Sequence, residues 1–358
     1  MDWTSNTSEG GQTVESLKRY FSVMKDDLPA KFMICKKTPA EIGLDSEKSK
    51  LWKEHGSALE KFENLLRRID KGETSLDDLK NPETSLLELK AEISKRILKS
   101  CHFCERRCGV NRCRGETGVC GVGEDPKVAS EFVHTGEEPE LVPSYTIFFS
   151  GCTFKCQFCQ NWDISQNPDS GNKNPTENIS SKISDRRQQG VKNVNWVGGD
   201  PTPNLHSVLA SLNKCKTSIP SVWNSNMYLS KEGMKLLAGT QDVYLTDFKY
   251  GNDKCALKYS KVPNYWEIVS RNHKLAFEDA ELIIRHLVLP NHVDCCTKKI
   301  LEFIKTELDP GLRVNLMDQY RPAAKAMEYP EISRRVSKKE MNQALGTAER
   351  IGLENVIW

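Results

Sequence analysis

Short apolar runs alternate with segments of helical periodicity from residue 144 to the end of the chain. Helix-like segments such as HSVLASLNKC, SKEGMKLLAG and CTKKILEFIKTEL separate these runs. Strands and helices that alternate in this way predict βαβ units and a parallel sheet, either as an open doubly wound sheet or as a complete or partial barrel. The six predicted strands are residues 145–150, 194–198, 221–226, 242–248, 282–289 and 313–317.

Cysteine, glycine or polar residues end or follow every one of these predicted strands. In doubly wound sheets and in barrels alike, the functional site lies at the carboxyl ends of the parallel strands. We therefore expect these residues to meet at one end of the sheet. They are Cys152, Cys156, Cys159, Gly198, Gly199, Asp200, Asn224, Asn226, Asp247, Lys249, His286, Asp318, Gln319 and Tyr320.

The first 100 residues are rich in charge and contain two stretches with helical periodicity, residues 52–69 and 84–98. Either Thr84 or Ser85 is placed to cap the second helix. The polar segment between the two stretches predicts a linker. A charged helical segment favours a scaffold role, so we expect a helical extension that packs against another part of the protein.

The composition argues against a protein that binds nucleic acid or spans a membrane. The formal net charge is +2 over 358 residues, which creates no strong field for polyanions. No apolar run approaches the roughly 18 residues of a membrane span. The polar N-terminus MDWTSNTSEGG lacks the pattern of a secretion signal. We therefore expect a soluble cytoplasmic protein without a nucleic-acid or membrane partner.

Cysteines are numerous, and most of them are clustered. Eight of the 13 cysteines lie between Cys101 and Cys159. In a chain without a secretion signal, clustered cysteines favour metal ligands over disulfides. The adjacent residues Cys295 and Cys296 precede a predicted helix, where burial is the expected role and redox activity is the alternative.

The stretch SGCTFKCQFCQNW places Cys152, Cys156 and Cys159 directly after the first predicted strand of the sheet. Thiolates are soft ligands that suit zinc, copper(I) and iron–sulfur clusters. Three thiolates can hold three irons of a four-iron cluster and leave the fourth iron open for another ligand. The alternative is a structural zinc site that a distant cysteine or histidine completes.

The spacing C-x3-C-x2-C, with Phe158 before the third cysteine, resembles the signature of the radical S-adenosylmethionine (SAM) enzymes. The resemblance implies a partial (β/α)6 TIM-like barrel and a [4Fe-4S] cluster on Cys152, Cys156 and Cys159. SAM would chelate the open iron, and one electron would cleave it to methionine and a 5′-deoxyadenosyl radical that abstracts hydrogen from a substrate. Phe158 would lie near the adenine.

The segment VGGDPTP resembles the glycine-rich GGE segment of the same family, which ends the second strand and approaches the SAM amino group. The resemblance implies that Gly198, Gly199 and Asp200 bind SAM. Glycines let a backbone approach a ligand closely, and an acidic side chain can pair with an ammonium group. Asp200 has a shorter side chain than the glutamate that is commoner at this position.

The segments WNSNMY, YLTDFKY, RHLVLPNH and MDQYRP resemble the pyruvate formate-lyase activating enzymes, especially the activating-enzyme-like proteins with an N-terminal cysteine module. The likeness covers about residues 95–350. Asn224 replaces an aspartate that the activating enzymes carry near a monovalent cation, so the cation is not carried over. The positions to which the resemblance assigns SAM contacts are Asn224, Ser225, Asn226, Asp247, Lys249 and His286.

A second group of cysteines lies upstream, in CHFCERRCGVNRCRGETGVCG. The family pattern C-x2-C-x3-C followed by C-G selects four ligands and leaves Cys113 as a spare. Four thiolates can hold a second iron–sulfur cluster, which we favour, or a structural zinc ion. The neighbouring arginines either dock an acidic partner or offset the charge of the metal site. The four selected ligands are Cys101, Cys104, Cys108 and Cys120.

These patterns divide the chain into a charged helical extension (1–100), a cysteine-rich metal module (101–143) and a radical SAM partial barrel (144–358). The resemblance implies an oxidoreductase that takes hydrogen from a glycine in a partner protein, as a glycyl-radical activase does. One alternative is radical modification of another peptide, a cofactor precursor or a small metabolite. A more remote alternative is a non-enzymatic zinc-knuckle protein that binds nucleic acid. The partners implied for the enzyme are SAM, a reductant such as ferredoxin or flavodoxin, and a protein or peptide substrate.

Overall fold

The computed structural model describes residues 16–358, in which one nine-stranded sheet is surrounded by helices. The polar N-terminal sequence MDWTSNTSEGG lies outside the described residues. The strands are β1 (Lys127–His134), β2 (Ser144–Phe149), β3 (Asn172–Lys173), β4 (Asn193–Gly198), β5 (Ser221–Ser225), β6 (Val243–Asp247), β7 (Glu281–Leu287), β8 (Arg313–Met317) and β9 (Val356–Ile357).

The sheet has the order β3-β1-β2-β4-β5-β6-β7-β8-β9. Pairing is parallel from β2 to β9, whereas β1 is antiparallel to both β2 and β3. The helices are α1 (Lys18–Met24), α2 (Lys31–Lys37), α3 (Lys48–Asp70), α4 (Leu86–Ile97), α5 (Trp162–Ser165), α6 (Thr176–Gln188), α7 (Leu205–Lys214), α8 (Lys231–Leu237), α9 (Asp253–Ser260), α10 (Tyr265–Asp279), α11 (Lys298–Glu307) and α12 (Lys338–Ile351).

All six predicted strands are present, and their ends differ from the predicted ends by at most two residues. The α/β fold with a parallel sheet is therefore confirmed. The sequence did not predict β1, which lies within the range assigned to the cysteine-rich module. Most of its residues are only half-buried or exposed, so β1 lacks the apolar run by which the buried strands were found.

The barrel interior is apolar near the amino ends of the strands and polar near their carboxyl ends. Val222, Val243 and Ile283 face the interior near the amino ends of β5, β6 and β7, where they pack with Leu17 and Tyr20. The segment around α1 thus closes the amino end of the barrel. The polar residues at the carboxyl ends of the same strands are therefore left free of this packing and can form a functional site.

Residues 135–143, between β1 and β2, contribute three glutamates that contact β7 and β8. Each glutamate accepts a hydrogen bond from a side chain of these strands. The pairs are Glu137 with Arg285 (3.0 Å), Glu138 with Asn315 (3.1 Å) and Glu140 with Arg313. Since β2 and β8 are separated by four strands in the sheet order, this segment ties its two sides together.

The predicted helical extension is present and shares one continuous hydrophobic core with the sheet. Ser85, rather than Thr84, caps α4, and it forms a capping box with Glu88. Phe62 of α3 is buried and packs against Gly239, where an added Cβ would lie 2.7 Å from the ring. Burial of one such aromatic side chain stabilises the fold by about 1.5–3 kcal/mol. No helix within residues 16–358 has both the length and the apolar composition of a membrane span.

Candidate active site

A cavity of about 230 Å³ lies at the carboxyl ends of the parallel strands, between the loop after β2 and the ends of β4 to β8. Of the residues expected at this end of the sheet, all but His286, Asp318 and Tyr320 line this cavity. The predicted residues that line it are Cys152, Cys156, Phe158, Cys159, Gly198, Gly199, Asp200, Asn224, Ser225, Asn226, Asp247, Lys249 and Gln319.

The three-cysteine loop, residues 150–160, is positioned by backbone hydrogen bonds to the end of α9. Lys155 N donates to Ser260 O over 2.9 Å, and Gln157 N donates to Tyr259 O over 2.7 Å. Because both acceptors belong to the last turn of one helix, α9 fixes the position and orientation of the middle of the loop.

Each sulfur of the loop lies at hydrogen-bond distance from a potential donor. The pairs are Cys152 Sγ with Phe154 N (3.3 Å), Cys156 Sγ with Ser260 Oγ (2.9 Å) and Cys159 Sγ with Ser165 Oγ (3.2 Å). Burial raises the pKa of Cys152 well above its usual value, and it raises the pKa of Cys156 to about 12. Ionised thiolates at these positions therefore require a metal cation that balances their charge.

Gly198 and Gly199 allow the end of β4 to pack against the β2 strand and the loop that follows it. Gly198 has a φ of +135°, and an added Cβ would lie 2.3 Å from Phe149 O. A Cβ on Gly199 would lie 2.3 Å from Gly151 O and 2.7 Å from the Ser165 Cα. The two glycines are thus required for close approach of chain segments around the three-cysteine loop.

Asp200 is buried beneath the cavity, and neutral groups donate its hydrogen bonds. Ser225 Oγ donates to Oδ1 over 2.9 Å, Asn226 N donates to Oδ1 over 3.3 Å, and Thr153 Oγ1 donates to Oδ2 over 3.3 Å. Burial raises the pKa of Asp200, although these donors partly oppose the increase. Because none of the three donors carries a charge, an ionised Asp200 retains negative charge that can pair with a cationic ligand group.

Asp247, Lys249 and Arg285 form a partly buried ionic network that also lines the cavity. Asp247 accepts hydrogen bonds from Lys249 Nζ (2.6 Å) and Arg285 Nε (3.1 Å). Burial by itself would raise the Asp247 pKa, but the two cations outweigh it and hold the pKa at about 2. Arg285 also donates to Asn224 Oδ1 and Glu137 Oε2, so a fixed guanidinium group lies beside Asn224.

The structure does not bring His286 to the cavity. Its Nδ1 lies 2.7 Å from Phe248 O, and its Nε2 lies 2.8 Å from Thr297 Oγ1. Burial lowers the pKa of His286 to about 4. Alternation along β7 explains this placement, because Arg285 and Leu287 line the cavity and the residue between them faces outward.

Arg285 is the main residue of the cavity that the sequence analysis missed. The two-residue alternation of side chains along a strand could have identified Arg285, since Ile283, Arg285 and Leu287 share one face of β7. Thr153 was missed as well, because it lies between cysteines in a loop that has no periodicity. Met317 lines the cavity at the end of β8.

Phe158 lines the cavity and packs against aromatic rings behind it. Phe158 is buried, and its ring centroid lies 5.7 Å from Tyr320 and 6.4 Å from Tyr250 in edge-to-face contacts. A larger and more open groove of about 1070 Å³ lies between α10 and α11, but its lining includes none of the predicted site residues. The smaller cavity is the candidate site because the three thiols and the charged side chains line it.

Comparison with known proteins agrees with this geometry. Residues 146–304 match the family model described as the Radical SAM superfamily. The chain belongs to the radical SAM superfamily. It is also 50% identical over 345 residues to an uncharacterized protein of Methanocaldococcus jannaschii, a match that covers 94% of this chain and 98% of that protein.

The chain is also similar to solved structures of SuiB from Streptococcus suis. The structure of SuiB bound to precursor peptide SuiA has a TM-score of 0.42 and 15% identity, with coverage of 57% of this chain and 46% of SuiB. The structure of SuiB bound to SAM has a TM-score of 0.42 and 14% identity, with coverage of 57% and 47%. This chain thus spans about half the length of SuiB.

Membership of the radical SAM superfamily implies a [4Fe-4S] cluster and SAM, and the cavity has a donor set that fits them. Three soft thiols lie on one loop, as an iron–sulfur cluster requires. Asp200 offers a buried carboxylate without a charged donor, which suits the ammonium group of an amino acid. Lys249 and Arg285 supply positive charge in the same cavity.

The cysteine-rich module packs against the radical SAM domain next to β5. Glu105 N donates to Tyr228 O over 3.2 Å, and Ser230 N donates to Phe103 O over 2.9 Å. Arg106 Nε donates to Thr153 O within the three-cysteine loop. The module therefore contacts the loop directly, so a metal in the module would stabilise a neighbour of the cavity.

Two of the arginines in the module bind backbone carbonyl groups of the protein itself. Arg112 is 1% exposed and donates to Pro203 O over 2.7 Å and to Gly123 O over 2.8 Å. Arg106 donates to a carbonyl of the three-cysteine loop. Cys113 is exposed, whereas the four selected cysteines are half-buried. This difference in burial agrees with the selection of ligands that left Cys113 as a spare.

Proposed function

We propose that this protein is a radical SAM enzyme in which Cys152, Cys156 and Cys159 hold a [4Fe-4S] cluster and the cavity binds SAM. The observation that supports this proposal is the convergence of the three thiols and the polar ends of β4, β5 and β6 on one cavity. When bound, the cluster and SAM supply one-electron cleavage of the sulfonium group and a 5′-deoxyadenosyl radical.

The side chains of the cavity have separate tasks in this proposal. Asp200 pairs with the ammonium group of SAM. Ser225 and Asn226 orient the Asp200 carboxylate through their hydrogen bonds to it. Lys249 is kept protonated by Asp247, so it is a permanent cation next to the three-cysteine loop. Phe158 and its aromatic neighbours exclude water from the side of the cavity on which they lie.

We further propose that the substrate is a peptide segment of a partner protein, with a glycine as the favoured hydrogen donor. The likeness of the segments after the strands to the pyruvate formate-lyase activating enzymes supports this substrate class. The cluster and SAM would supply the radical that takes a hydrogen atom from the substrate, and a reductant such as ferredoxin or flavodoxin would supply the electron.

Anaerobic reconstitution with iron and sulfide tests the first proposal. The reduced protein should convert SAM to 5′-deoxyadenosine, which mass spectrometry can quantify. Each of the variants Cys152→Ala, Cys156→Ala and Cys159→Ala should lose at least 100-fold of this activity. Cys215→Ala, a change at a buried cysteine outside the cavity, is the matched control and should retain it. Colourless protein that contains only zinc and forms no 5′-deoxyadenosine refutes the proposal.

The glycine substrate needs its own experiment. A candidate glycyl-radical enzyme is added to the reduced protein with SAM, and the mixture is examined by electron paramagnetic resonance. A glycyl radical signal that requires SAM and Cys156 supports the activase role. Formation of 5′-deoxyadenosine with a different peptide and no glycyl signal would instead support modification of another peptide.

We also propose that Cys101, Cys104, Cys108 and Cys120 hold a second iron–sulfur cluster. The same four thiols could instead hold one structural zinc ion. A second cluster would place iron next to the three-cysteine loop, which the module contacts through Arg106. Iron analysis of the Cys104→Ala variant, which should lose about four irons per chain, tests this assignment.

A further inference from the structure

A third group of metal-ligand side chains lies outside the cavity and outside the cysteine-rich module. The ligand atoms of Cys255, His292 and Cys295 all lie within 4.8 Å of one another. Within residues 16–358, no other three His, Cys, Asp or Glu side chains come this close. We propose that these three residues form a binding site for a single soft divalent metal ion, and that zinc is the ion it takes.

The fold holds the two halves of this group together independently of any ligand. Cys255 is in the first turn of α9, and Cys295 lies in a π-helical turn, Val293–Thr297, that precedes α11. Asn252 caps α9 through Cys255 N (2.9 Å) and donates to Cys295 O (2.9 Å). A π-helical turn carries an extra residue and is frequently found at functional sites.

Close packing of backbone also fixes the group. A Cβ on Gly251 would lie 2.7 Å from Cys296 O and 2.9 Å from Cys295 O, so the chain after β6 contacts the π-helical turn directly. The positions of Cys255 and Cys295 are therefore preset by the fold, which lowers the entropy cost of metal binding.

His292 is oriented as a metal-binding histidine requires. Its Nδ1 lies 2.6 Å from Pro290 O, and since a carbonyl can only accept, Nδ1 carries the proton. The neutral ring then has its lone pair on Nε2. Tyr259 is 3.1 Å from Nε2, but its hydroxyl donates to Glu331 Oε1 over 2.5 Å. The Nε2 lone pair instead shares a hydrogen bond with Cys255, and it becomes a metal ligand when the Cys255 thiol loses its proton to bind the same ion. The backbone hydrogen bond at Nδ1 is the kind that typically orients such a ligand.

The size and chemistry of the group select a single zinc ion. Tetrahedral zinc spaces two thiolates about 3.8 Å apart, so a group already within 4.8 Å needs to contract by about 1 Å at most. Two thiolates neutralise the charge of one divalent ion, and imidazole is a third favourable ligand. Cys295 is exposed, which leaves an open side for a water molecule or for exchange of the ion.

Protection of the Cys295 thiol from alkylation measures the binding directly. Full-length protein with reconstituted clusters is treated with N-ethylmaleimide, with and without a small excess of Zn²⁺, and labelled peptides are quantified by mass spectrometry. Zinc should slow the labelling of Cys295 at least 10-fold, and excess EDTA should restore it. The exposed Cys113 is an internal control whose labelling rate should not change.

Two variants separate metal binding from other causes of protection. His292→Gln should reduce the protection of Cys295 to less than twofold and lower the zinc content by one equivalent, with iron content unchanged. The matched control His134→Gln, on β1, should keep full protection. Equal labelling rates with and without zinc overturn the proposal. Protection that EDTA does not reverse but a thiol reductant does also overturns it, because a disulfide then accounts for the short distances.

Discussion

The hydroxyl group of Ser260 donates a hydrogen bond to the sulfur of Cys156 over 2.9 Å. The same hydroxyl lies 2.6 Å from the hydroxyl of Tyr250, and the Ser260 carbonyl accepts from Lys155 N. The last residue of α9 therefore both positions the three-cysteine loop and places a donor on one of its sulfurs. Hydrogen bonds to sulfur ligands are among the features that set the reduction potential of an iron–sulfur cluster.

We predict that Ser260→Ala lowers the reduction potential of the cluster in the radical SAM domain. A hydrogen bond to sulfur stabilises the more negative, reduced state, so its loss makes reduction harder. A bond worth about 1 kcal/mol corresponds to about 40 mV for one electron. Redox titration followed by electron paramagnetic resonance measures the shift. Ser260→Thr retains a hydroxyl and should stay close to wild type, whereas an unchanged potential in Ser260→Ala would contradict the prediction.

Gly199→Ala should prevent assembly of the three-cysteine loop. The new Cβ would lie 2.3 Å from Gly151 O and 2.7 Å from the Ser165 Cα, and both neighbours belong to backbone that cannot move aside without displacing the loop. We expect the iron content to fall by about four per chain and 5′-deoxyadenosine formation to fall at least 10-fold. Gly123→Ala is the matched control, because no atom lies within 4 Å of its added Cβ. A variant at Gly199 with full iron content would show that the loop tolerates the displacement.

Asp200→Asn should weaken SAM binding and leave the fold intact. The amide retains an oxygen that accepts from Ser225, but it lacks the charge proposed to pair with the SAM ammonium group. A charge-assisted hydrogen bond contributes about 1.5–3 kcal/mol, so affinity should fall about 10- to 100-fold. Equilibrium dialysis with labelled SAM measures the change. The control Asp169→Asn, at an exposed acid, should bind as wild type does, and equal affinity in both variants would exclude Asp200 as the partner of the ammonium group.

The sequence predicted the parallel strands because each carries an apolar run bounded by turn residues, and the radical SAM motif placed the site at their ends. The sequence could not predict which face of a strand each single side chain occupies. His286 was assigned to the site by family resemblance, yet the register of β7 turns Arg285 to the cavity instead. Strand β1 went undetected because it lacks an apolar run.

The group of Cys255, His292 and Cys295 shows a different limit of sequence reasoning. Cys255 lies on α9, whereas His292 and Cys295 follow β7, and the hydrogen bonds of Asn252 and the packing of Gly251 bring them together. Adjacent Cys295 and Cys296 were predicted to be buried at the start of a helix. The structure buries Cys296 and exposes Cys295. A spacing pattern finds ligands that share one loop, but it misses ligands that tertiary contacts assemble.

Glu281 should make the stability of the protein depend on pH. Its carboxylate accepts hydrogen bonds from Arg19 N and Tyr20 N, which anchor α1 to the start of β7. Burial is the largest influence and raises the Glu281 pKa to about 7, with a further contribution from the neighbouring Asp242. The folded protein therefore holds a proton at pH values where the unfolded chain, with a glutamate pKa near 4.3, has released it.

The sign of the dependence follows from this proton. The stabilising contribution of Glu281 is complete below the unfolded pKa and is lost as the pH rises through the folded pKa, by at most about 4 kcal/mol. Urea unfolding of wild type and Glu281→Gln between pH 5 and pH 8 should show wild type losing stability relative to the variant, since the amide does not titrate. Asp242 and the cysteines are common to both proteins, so their contributions cancel in this difference. The exposed Glu267→Gln should give a profile parallel to wild type, and a parallel profile for Glu281→Gln as well would show that the carboxyl is ionised in the folded protein throughout this range.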